Sequence, residues 1–414
     1  MIRPFRAPMT IALAICAVVV GSAPSLAASE PKPPTNICIN DVCSQTKAPT
    51  GAYIKWNPGH YTWLGGLDLT DGTMNSWFSK IDGFCSNANI KGIQIYTTWA
   101  ALEPTPGSYS AAFIKLDKLM AKLASCKKKV MMGIDEREYG AVANAGTSPS
   151  PASYDWIYPP YLTRDSKYGT GALKGVVFQV DREWVSSMKS TPRLWDPVVM
   201  DRLIALVKAL GARYNANPAV EQFYIETISM PDGPLNADGA TYDQFYNQYK
   251  RLLGAASAAW PNTIVHTKAD WVKNATYAKD FIAYCLSLPN CGMGQNDPEF
   301  PLPNVEGQKT YNGNLISTIF RGLEGGTDHR GKISWTSEVE QMGLGDRGYT
   351  YTPAQLYEFW MEHQQGQHIL WLYNDYMGGT AQRWSTGILP FINSVKGKVY
   401  STACPGRYAS CKTD

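Results

Sequence analysis

The sequence of 414 residues predicts an α/β fold, a (β/α)8 TIM barrel with a long insertion after its third strand. Short apolar runs alternate with amphipathic segments of helical spacing from residue 51 onward, and eight such pairs can be counted. No Gly-x-Gly-x-x-Gly loop follows the first run, which disfavours the doubly wound open sheet that alternates in the same way. The chain exceeds the ~250 residues of a bare barrel, and an insertion at 135–195 absorbs much of the surplus.

Each predicted strand is a run rich in apolar and β-branched residues between polar or turn-forming positions. The eight runs are 52–56, 92–96, 129–134, 220–226, 263–267, 291–295, 333–338 and 368–372. The segments between them carry apolar residues at helical spacing. The predicted helices are 74–84, 112–125, 196–214, 242–260, 277–286, 315–323, 353–364 and 388–395. The irregular stretch 135–195, with one extended piece at 176–180, is too aromatic to be disordered.

The N-terminus has the pattern of a secretory signal peptide at residues 1–27. Arg3 and Arg6 precede an apolar run, and Ser25-Leu-Ala27 supplies the small residues of a cleavage site. The run is shorter than the ~20 residues that span a bilayer, so we expect an exported chain, secreted or periplasmic, with no membrane span. A retained membrane anchor is the alternative. The rest of the chain then divides into an N-terminal tail at 28–50, the catalytic barrel at 51–400 and a disulfide-stapled C-terminal tail at 401–414.

The composition favours a carbohydrate partner over nucleic acid. A formal net charge of +3 gives no strongly basic face, and the one basic run, at 127–129, is expected to be a solvated loop. The chain has 13 Trp and 24 Tyr, more than a core of this size requires. Such rings can stack on the flat faces of sugars, and large structural clusters of aromatic residues are the alternative.

The nine cysteines predict disulfides rather than a metal site. Cys16 lies in the signal peptide, and the even number that remains in an exported chain favours bridges. Eight cysteines allow 105 connectivities, of which pairing of neighbours is the simplest. These neighbours are Cys38–Cys43, Cys85–Cys126, Cys285–Cys291 and Cys404–Cys411. A zinc site is the rival, but the chain has no Cys-x-x-Cys pair and its five histidines lack paired spacing, so we expect no metal and no cofactor.

The active site of a (β/α)8 barrel lies at the C-terminal ends of the strands, so the residues near each strand end are candidates. Carboxylates, amides and indoles gather there, and these groups hydrogen-bond sugar hydroxyls and stack on sugar rings. The candidate substrate-binding residues are Trp56, His60, Trp63, Trp99, Asp135, Glu136, Arg137, Lys268, Trp271, Gln295, Asn296, Trp335, Trp371, Asn374 and Asp375. Internal salt bridges, packing of the barrel top and turn capping are the alternatives for them.

Two of the predicted strands end in a glutamate. Phe223-Tyr-Ile-Glu226 closes the fourth strand, and Ile333-Ser-Trp-Thr-Ser-Glu338 closes the seventh. Cleavage of a glycosidic bond with retention needs two carboxyls ~5–5.5 Å apart, one ionised and one protonated. Strands four and seven of a small barrel face each other across its mouth, and repulsion between close carboxylates keeps one proton in the pair. Glu340, two residues past Glu338, is its nearest rival.

Other stretches carry a resemblance to a known group of enzymes. They are Trp99-Ala-Ala-Leu-Glu-Pro-Thr-Pro-Gly107 followed by Tyr109, and Leu194-Trp-Asp-Pro197 leading through Ala212-Arg-Tyr214 and Asn217-Pro218. With the two strand-end glutamates, they make residues 51–395 resemble the clan A type of (β/α)8 retaining glycoside hydrolase. The resemblance implies that Glu226 is the acid/base and Glu338 the nucleophile. The sequence departs from the group at Ile225, where Asn usually precedes the acid/base.

Two functional hypotheses follow. The first is an exported glycoside hydrolase that acts on a poly- or oligosaccharide by retaining double displacement. The second is a carbohydrate-binding barrel without catalysis, which Ile225 favours. An esterase is disfavoured because no nucleophile elbow is present. Among the remaining polar residues, we expect Glu103 to fasten its loop and His266 to be a core residue.

Overall fold

The computed structural model describes most of the chain from residue 53 onward and a short hairpin before it. The described residues are 38–39, 42–43, 53–66, 68–137, 150–177, 190–225, 230, 232–268, 272–295, 315–323, 326–338, 352–373 and 382–413. They contain a closed barrel of eight strands in which every neighbouring pair is parallel. The predicted (β/α)8 fold class is therefore confirmed.

The strands lie around the barrel in the order in which they occur along the chain, as a right-handed series of strand–helix units requires. They are β1 Gly59–Trp63, β2 Ile90–Thr98, β3 Lys129–Asp135, β4 Val220–Ile225, β5 Ile264–Lys268, β6 Cys291–Gln295, β7 Trp335–Glu338 and β8 His368–Leu372. The last strand pairs with the first and closes the barrel.

A helix follows each strand, at or close to its predicted position. The eight helices are α1 Asp71–Phe84, α2 Ser110–Ser125, α3 Pro197–Tyr214, α4 Tyr242–Ala259, α5 Ala275–Ser287, α6 Leu315–Phe320, α7 Pro353–Phe359 and α8 Leu389–Ser394. Local sequence explains several starts. Thr241 and Thr352 form capping boxes at α4 and α7, and Asp196 caps α3 ahead of a proline at its first position.

The first strand is the element that the sequence interpretation placed wrongly. The predicted run 52–56 does not enter the barrel, because Ile54–Lys55 pairs instead with Cys411–Lys412 of the C-terminal tail. The barrel strand is Gly59–Trp63, whose polar and aromatic residues do not form an apolar run. They suit a strand that is covered on both sides, since Tyr61 joins the barrel interior and His60 hydrogen-bonds outward to the carbonyl of Lys398.

Side chains alternate between two apolar regions along the strands. One residue from each of five strands meets inside the barrel, where Tyr61, Tyr96, Met131, Tyr224 and Leu370 form a small cluster. A much larger cluster fills the layer between the strands and the helices. A barrel interior packed in this way is a core and not a pore, so chemistry is confined to its two ends.

The C-terminal tail covers the N-terminal end of the barrel. The Tyr408 hydroxyl donates to the carbonyl of Cys291 at 2.8 Å and accepts from the Ser334 amide at 2.9 Å. Beside it, Glu221 accepts from the backbone and side-chain nitrogens of Asn57 at 2.7 and 2.8 Å and lies 3.1 Å from His368 Nε2. Burial acts to raise the pKa of Glu221, but the hydrogen bonds from His368 and Asn57 outweigh it and lower the pKa.

Three of the predicted disulfides are formed: Cys85–Cys126, Cys285–Cys291 and Cys404–Cys411. Cys38 stands opposite Cys43 in a two-stranded antiparallel pair, but the side chains of that hairpin lie outside the described residues. The predicted signal peptide at 1–27 also lies outside them. Within the described part of the chain, no helix has the length and apolar character to cross a membrane.

The insertion after β3 is confirmed as an irregular segment of short elements. Its described parts hold a short helix at Pro160–Arg164 and a two-stranded pair of Val176–Val177 with Thr191–Pro192. Its Ile157 carbonyl accepts from the amide of Ala100, in the loop that follows β2. The insertion therefore packs beside the C-terminal end of the barrel, where the candidate site lies.

Candidate active site

A buried ion pair lies at the C-terminal ends of the strands, which we call the barrel mouth. Glu338 is the last residue of β7 and Lys268 the last residue of β5. The Lys268 ammonium donates to Glu338 Oε1 at 2.9 Å, and the two side chains are only 3% and 5% exposed. A carboxylate and an ammonium that are both removed from water stabilise each other's charged form.

Two tyrosine rings of the interior cluster lie against the ammonium. Lys268 Nζ is 4.8 Å from the ring centroid of Tyr96 and 5.8 Å from that of Tyr224. Both distances are within the range of cation–π attraction. These tyrosines come from β2 and β4 and Glu338 from β7, so side chains from three other strands converge on the Lys268 ammonium. Neither tyrosine is among the site residues predicted from the sequence, although the alternation along both strands could have placed them inside the barrel.

His266 lies one layer below Lys268 and is a neutral core residue, as predicted. It is fully buried, and its ring centroid is 4.1 Å from that of Tyr224. Gly294 of β6 makes room for it, because a Cβ at that position would stand 2.5 Å from His266 Nε2. Burial, and then the positive charge of Lys268, lower the pKa of His266 well below 6.5. A neutral imidazole here adds no second positive charge beneath the ion pair.

Three charged residues that were predicted to contact substrate lie at the end of β3. Arg137 is buried, its Nε lies 3.6 Å from Glu136 Oε1, and its guanidinium lies 6.0 Å from the ring of Phe245. The backbone amide of Arg137 donates to Asp135 Oδ1 at 3.3 Å. The structure thus supports the salt-bridge alternative for Glu136 and Arg137. Substrate contact by any of the three stays a prediction.

Three predicted substrate contacts instead face the helix layer. Trp371 and His60 are fully buried and joined by a 2.9 Å hydrogen bond from Trp371 Nε1 to His60 Nδ1. Trp335 donates to Gln364 of the turn after α7 at 3.3 Å and packs on Phe320. The reason is strand alternation: Glu338 points inward, so Trp335, three residues before it, points outward. The predicted sugar contacts of Trp335, Trp371 and His60 are therefore wrong.

The pKa of His60 follows from this outward position. Its Nε2 donates to the carbonyl of Lys398 at 2.8 Å while Nδ1 accepts from Trp371. Burial lowers the pKa of His60 from 6.5 to about 4, and the bond to Lys398 only partly opposes that shift. His60 is thus a neutral residue that connects β1 to β8 and to the segment after α8.

Two further tryptophans have structural roles. Trp56 lies at the N-terminal end of the barrel, where Nε1 donates to the Thr402 carbonyl at 2.8 Å and the ring meets His368 edge-on. Its prediction as a mouth residue is wrong because it precedes β1 instead of ending it. Trp99 is fully buried and donates to Glu103 at 3.2 Å. Trp63, by contrast, ends β1 beside the interior cluster and is partly exposed, so its substrate contact stays a prediction.

Glu103 fastens the loop after β2, as predicted. Its carboxylate accepts from the Gly107 amide at 2.9 Å, the Tyr161 hydroxyl at 2.6 Å and Arg202 Nε at 3.0 Å. It is fully buried. This network ties the loop to α3 and to the insertion, which gives the motif 99–107 a structural explanation.

Several predicted site residues lie outside the described residues. They are Glu226, Trp271, Asn296, Asn374 and Asp375, together with the rival Glu340. Gln295 is the last residue of β6, and only its backbone is described. Within the described residues, no group of three or more His, Cys, Asp and Glu side chains could hold a metal ion.

The fold and the site define a (β/α)8 barrel with a buried lysine–glutamate pair at its mouth. No protein-family model matches the chain, and no curated protein matches it significantly. Similar solved structures include the exo-β-1,4-mannosidase Op5Man5 from Opitutaceae bacterium strain TAV5, at 12% identity, 85% coverage of this chain and a TM-score of 0.47. The chain spans 62% of the length of that mannosidase.

Two other similar structures have comparable scores. The β-glucanase SdGluc5_26A from Saccharophagus degradans is 9% identical over 83% of this chain and 88% of its own, with a TM-score of 0.45. A β-galactosidase from the psychrophilic Marinomonas ef1 is 11% identical over 82% of this chain and 59% of its own, with a TM-score of 0.49. At these scores the likenesses carry no conclusion about activity, and the barrel assignment stands on the strand pairing itself.

Proposed function

We propose that this chain is an exported glycoside hydrolase that cleaves a poly- or oligosaccharide by retaining double displacement. Glu338 is the nucleophile and Glu226 the acid/base. The observation that carries the proposal is the buried carboxylate of Glu338 at the mouth end of β7, held by the Lys268 ammonium at 2.9 Å. Since a nearby positive charge favours an ionised carboxyl, this is the member of the pair suited to attack.

The position of β4 supports Glu226 as its partner. Gln222 of β4 contacts Thr336 of β7 across the barrel interior, with Nε2 and Oγ1 3.4 Å apart. Tyr224 points inward in the next layer, and strand alternation gives the same side to the residue two positions on. Glu226 and Glu338 are therefore expected to face each other across the mouth, at the separation that retention needs.

The chemistry then divides into two balanced steps. In the first, Glu338 attacks the anomeric carbon, the bond to the leaving oxygen breaks, and Glu226 gives that oxygen its proton. In the second, Glu226 takes a proton from water, whose oxygen attacks the anomeric carbon and releases Glu338 as a carboxylate. The three disulfides support export, because such bonds persist in oxidising compartments.

A carbohydrate-binding barrel without catalysis is the second candidate. Ile225 favours it, because this buried side chain belongs to the strand–helix layer and offers no amide to a substrate 2-hydroxyl. Both candidates bind sugar, so binding alone does not separate them.

The test compares three glutamate-to-glutamine variants on a panel of polysaccharides, with product stereochemistry followed by NMR. Glu338→Gln and Glu226→Gln should each lower turnover by roughly 10⁴-fold or more while leaving sugar binding nearly intact. Glu362→Gln is the matched control, since the Glu362 side chain on the turn after α7 is 71% exposed. Turnover that survives in both site variants, or products with inverted configuration, would contradict the proposal. Sugar binding by a wild-type protein without turnover would establish the second candidate.

A further inference from the structure

The contacts of Lys268 assign it to Glu338 and not primarily to a substrate. Its ammonium is held by a carboxylate on one side and approached by the rings of Tyr96 and Tyr224 on others. A lysine has a long flexible stem and loses much rotamer freedom when its head is fixed. Lys268 ends a strand and its side chain is only 3% exposed, so the structure fixes the position of the charge.

We propose that Lys268 is a positioning residue that orients the Glu338 carboxylate, keeps it ionised before its attack and stabilises its charge again when the bond to the anomeric carbon breaks. The inference rests on the proposed function for its catalytic part. The geometry that carries it is the 2.9 Å contact between two buried strand ends, two strands apart around the barrel. Lys268 is one of the substrate contacts predicted from the sequence, and the ion pair gives it a different role.

The two steps of the reaction use the ammonium differently. When Glu338 bonds to the anomeric carbon, its negative charge is lost and Lys268 loses its counter-charge in a buried site. When water attacks and the bond from the anomeric carbon to Glu338 breaks, the charge returns beside the ammonium. Lys268 therefore stabilises Glu338 as a leaving group, and its removal should slow the second step more than the first.

Other groups around the mouth are uncharged or paired among the described residues. His266, below Lys268 on β5, is held neutral by burial, and Leu370 of β8 stands beside Glu338 in register. At the end of β3, Asp135 contacts the backbone of Arg137, whose side chain lies by Glu136. The titratable residues Glu226, Glu340 and Asp375 follow neighbouring strands outside the described residues. Because these carboxyls also titrate, the signal of Glu338 has to be identified by its loss in the Glu338→Gln variant.

The experiment measures the charge of Glu338 directly. Protein labelled with ¹³C at glutamate carboxyls is titrated by NMR, and the Glu338 signal is the one that disappears in Glu338→Gln. In Lys268→Met the midpoint of that signal should rise by about 1–3 pH units over wild type, as expected for loss of a neighbouring opposite charge. Lys268→Arg, which keeps the charge, should retain most of the wild-type midpoint. An unchanged midpoint in Lys268→Met would overturn the proposal.

Lys128→Met is the matched control. Lys128 is also buried, but its ammonium donates to the carbonyls of Asn87 and Ile90 at 2.6 and 2.7 Å, away from the mouth. Its removal should leave the Glu338 midpoint and the turnover unchanged. If Lys268→Met does not fold, Lys268→Gln replaces it, because the amide keeps a donor without the charge.

Kinetics separates the positioning role from a purely structural one. With an activated aryl glycoside, Lys268→Met should release a burst of aglycone and then turn over about tenfold or more slowly, with the glycosyl-enzyme visible by mass spectrometry. Slower turnover without a burst would overturn the assignment to the second step. A wild-type protein that turns over no glycoside overturns the proposed function instead, and the titration still decides whether Lys268 sets the charge of Glu338.

Discussion

The two ends of the barrel each bury a glutamate, but they hold it in different ways. At the N-terminal end, Glu221 accepts from the backbone and side chain of Asn57 and lies beside His368, with no solvent exposure. At the mouth, Glu338 is paired with an ammonium on a long stem and is 5% exposed. The first glutamate is held by donors that include a backbone amide, whereas the second is held by a buried side-chain ammonium.

The difference separates a glutamate that is sealed within the fold from one at the end of the barrel where the proposed chemistry lies. The Glu221 end is sealed by the C-terminal tail, whose Tyr408 bonds both Cys291 and Ser334. Because Glu221 is fully buried, its carboxylate is not positioned to contact a ligand. The mouth carries the loops and the insertion, so a charge there can meet a substrate.

The same substitution at the two ends should affect turnover differently, and this is the largest contrast that we expect. Glu221→Gln removes the charge and turns an amide NH2 donor toward other donors, which should lower the free energy of unfolding by about 3–5 kcal/mol but leave the turnover of the folded protein unchanged. Glu338→Gln leaves the Lys268 ammonium buried without its counter-charge, so it should also lower the free energy of unfolding by about 3–5 kcal/mol, but in this variant turnover is lost as well. Urea unfolding and steady-state kinetics on both variants measure the contrast. Loss of turnover in the folded Glu221→Gln protein, or full turnover in Glu338→Gln, would remove the distinction between the ends.

Acid should lower the free energy of unfolding in two pH ranges, here called the upper and the lower window. His60 has a pKa lowered to about 4 by burial, so the unfolded chain binds a proton below pH 6.5 that the folded chain does not. Stability is therefore fully present above pH 6.5 and falls by ~3 kcal/mol on going down to pH 4. The lowered pKa of His266 acts in the same direction. Glu221, whose pKa is lowered, contributes stability that is lost below its unfolded value of about 4.3.

His60→Gln tests the upper window, because glutamine can accept from Trp371 and donate to Lys398 without titrating. Unfolding free energies measured by denaturant at pH 7, 5.5 and 4 should fall less steeply in this variant than in the wild type. Glu221→Gln should retain the wild-type slope in that window and flatten only the response below pH 4.3. Identical slopes for His60→Gln and the wild type would show that His60 does not shift on folding.

Sequence predicted the barrel well because its signals are local. A strand of apolar residues and a capped helix, such as the one that begins after Thr352, are encoded in a few consecutive positions. The prediction of the first strand was wrong for the same reason. Ile54–Lys55 has the more apolar local pattern, and only pairing with Cys411–Lys412, more than 350 residues away along the chain, takes it out of the barrel.

The candidate site was less predictable because it depends on which way side chains point and how far they reach. Alternation back from Glu338 was enough to place Trp335 outside, so that error was avoidable. The contact of Lys268 with Glu338 could not be predicted in this way, since it joins strands that are not neighbours. It depends on the tilt of the barrel strands and on the length of the lysine side chain. Sequence could bring both residues to the mouth but could not pair them.

The smallest contrast concerns the seal over the N-terminal end. Tyr408→Phe removes one hydroxyl, leaving the Ser334 amide and the Cys291 carbonyl without that partner in a buried site. The expected loss is about 1–3 kcal/mol in the free energy of unfolding, because an orphaned buried group costs its desolvation. Turnover under native conditions should not change, since the mouth lies at the other end of the strands. Tyr400→Phe is the control, as Tyr400 is 49% exposed. A fall in turnover without a fall in stability would mean that the two ends of the barrel are coupled, which the separate clusters inside and outside the strands argue against.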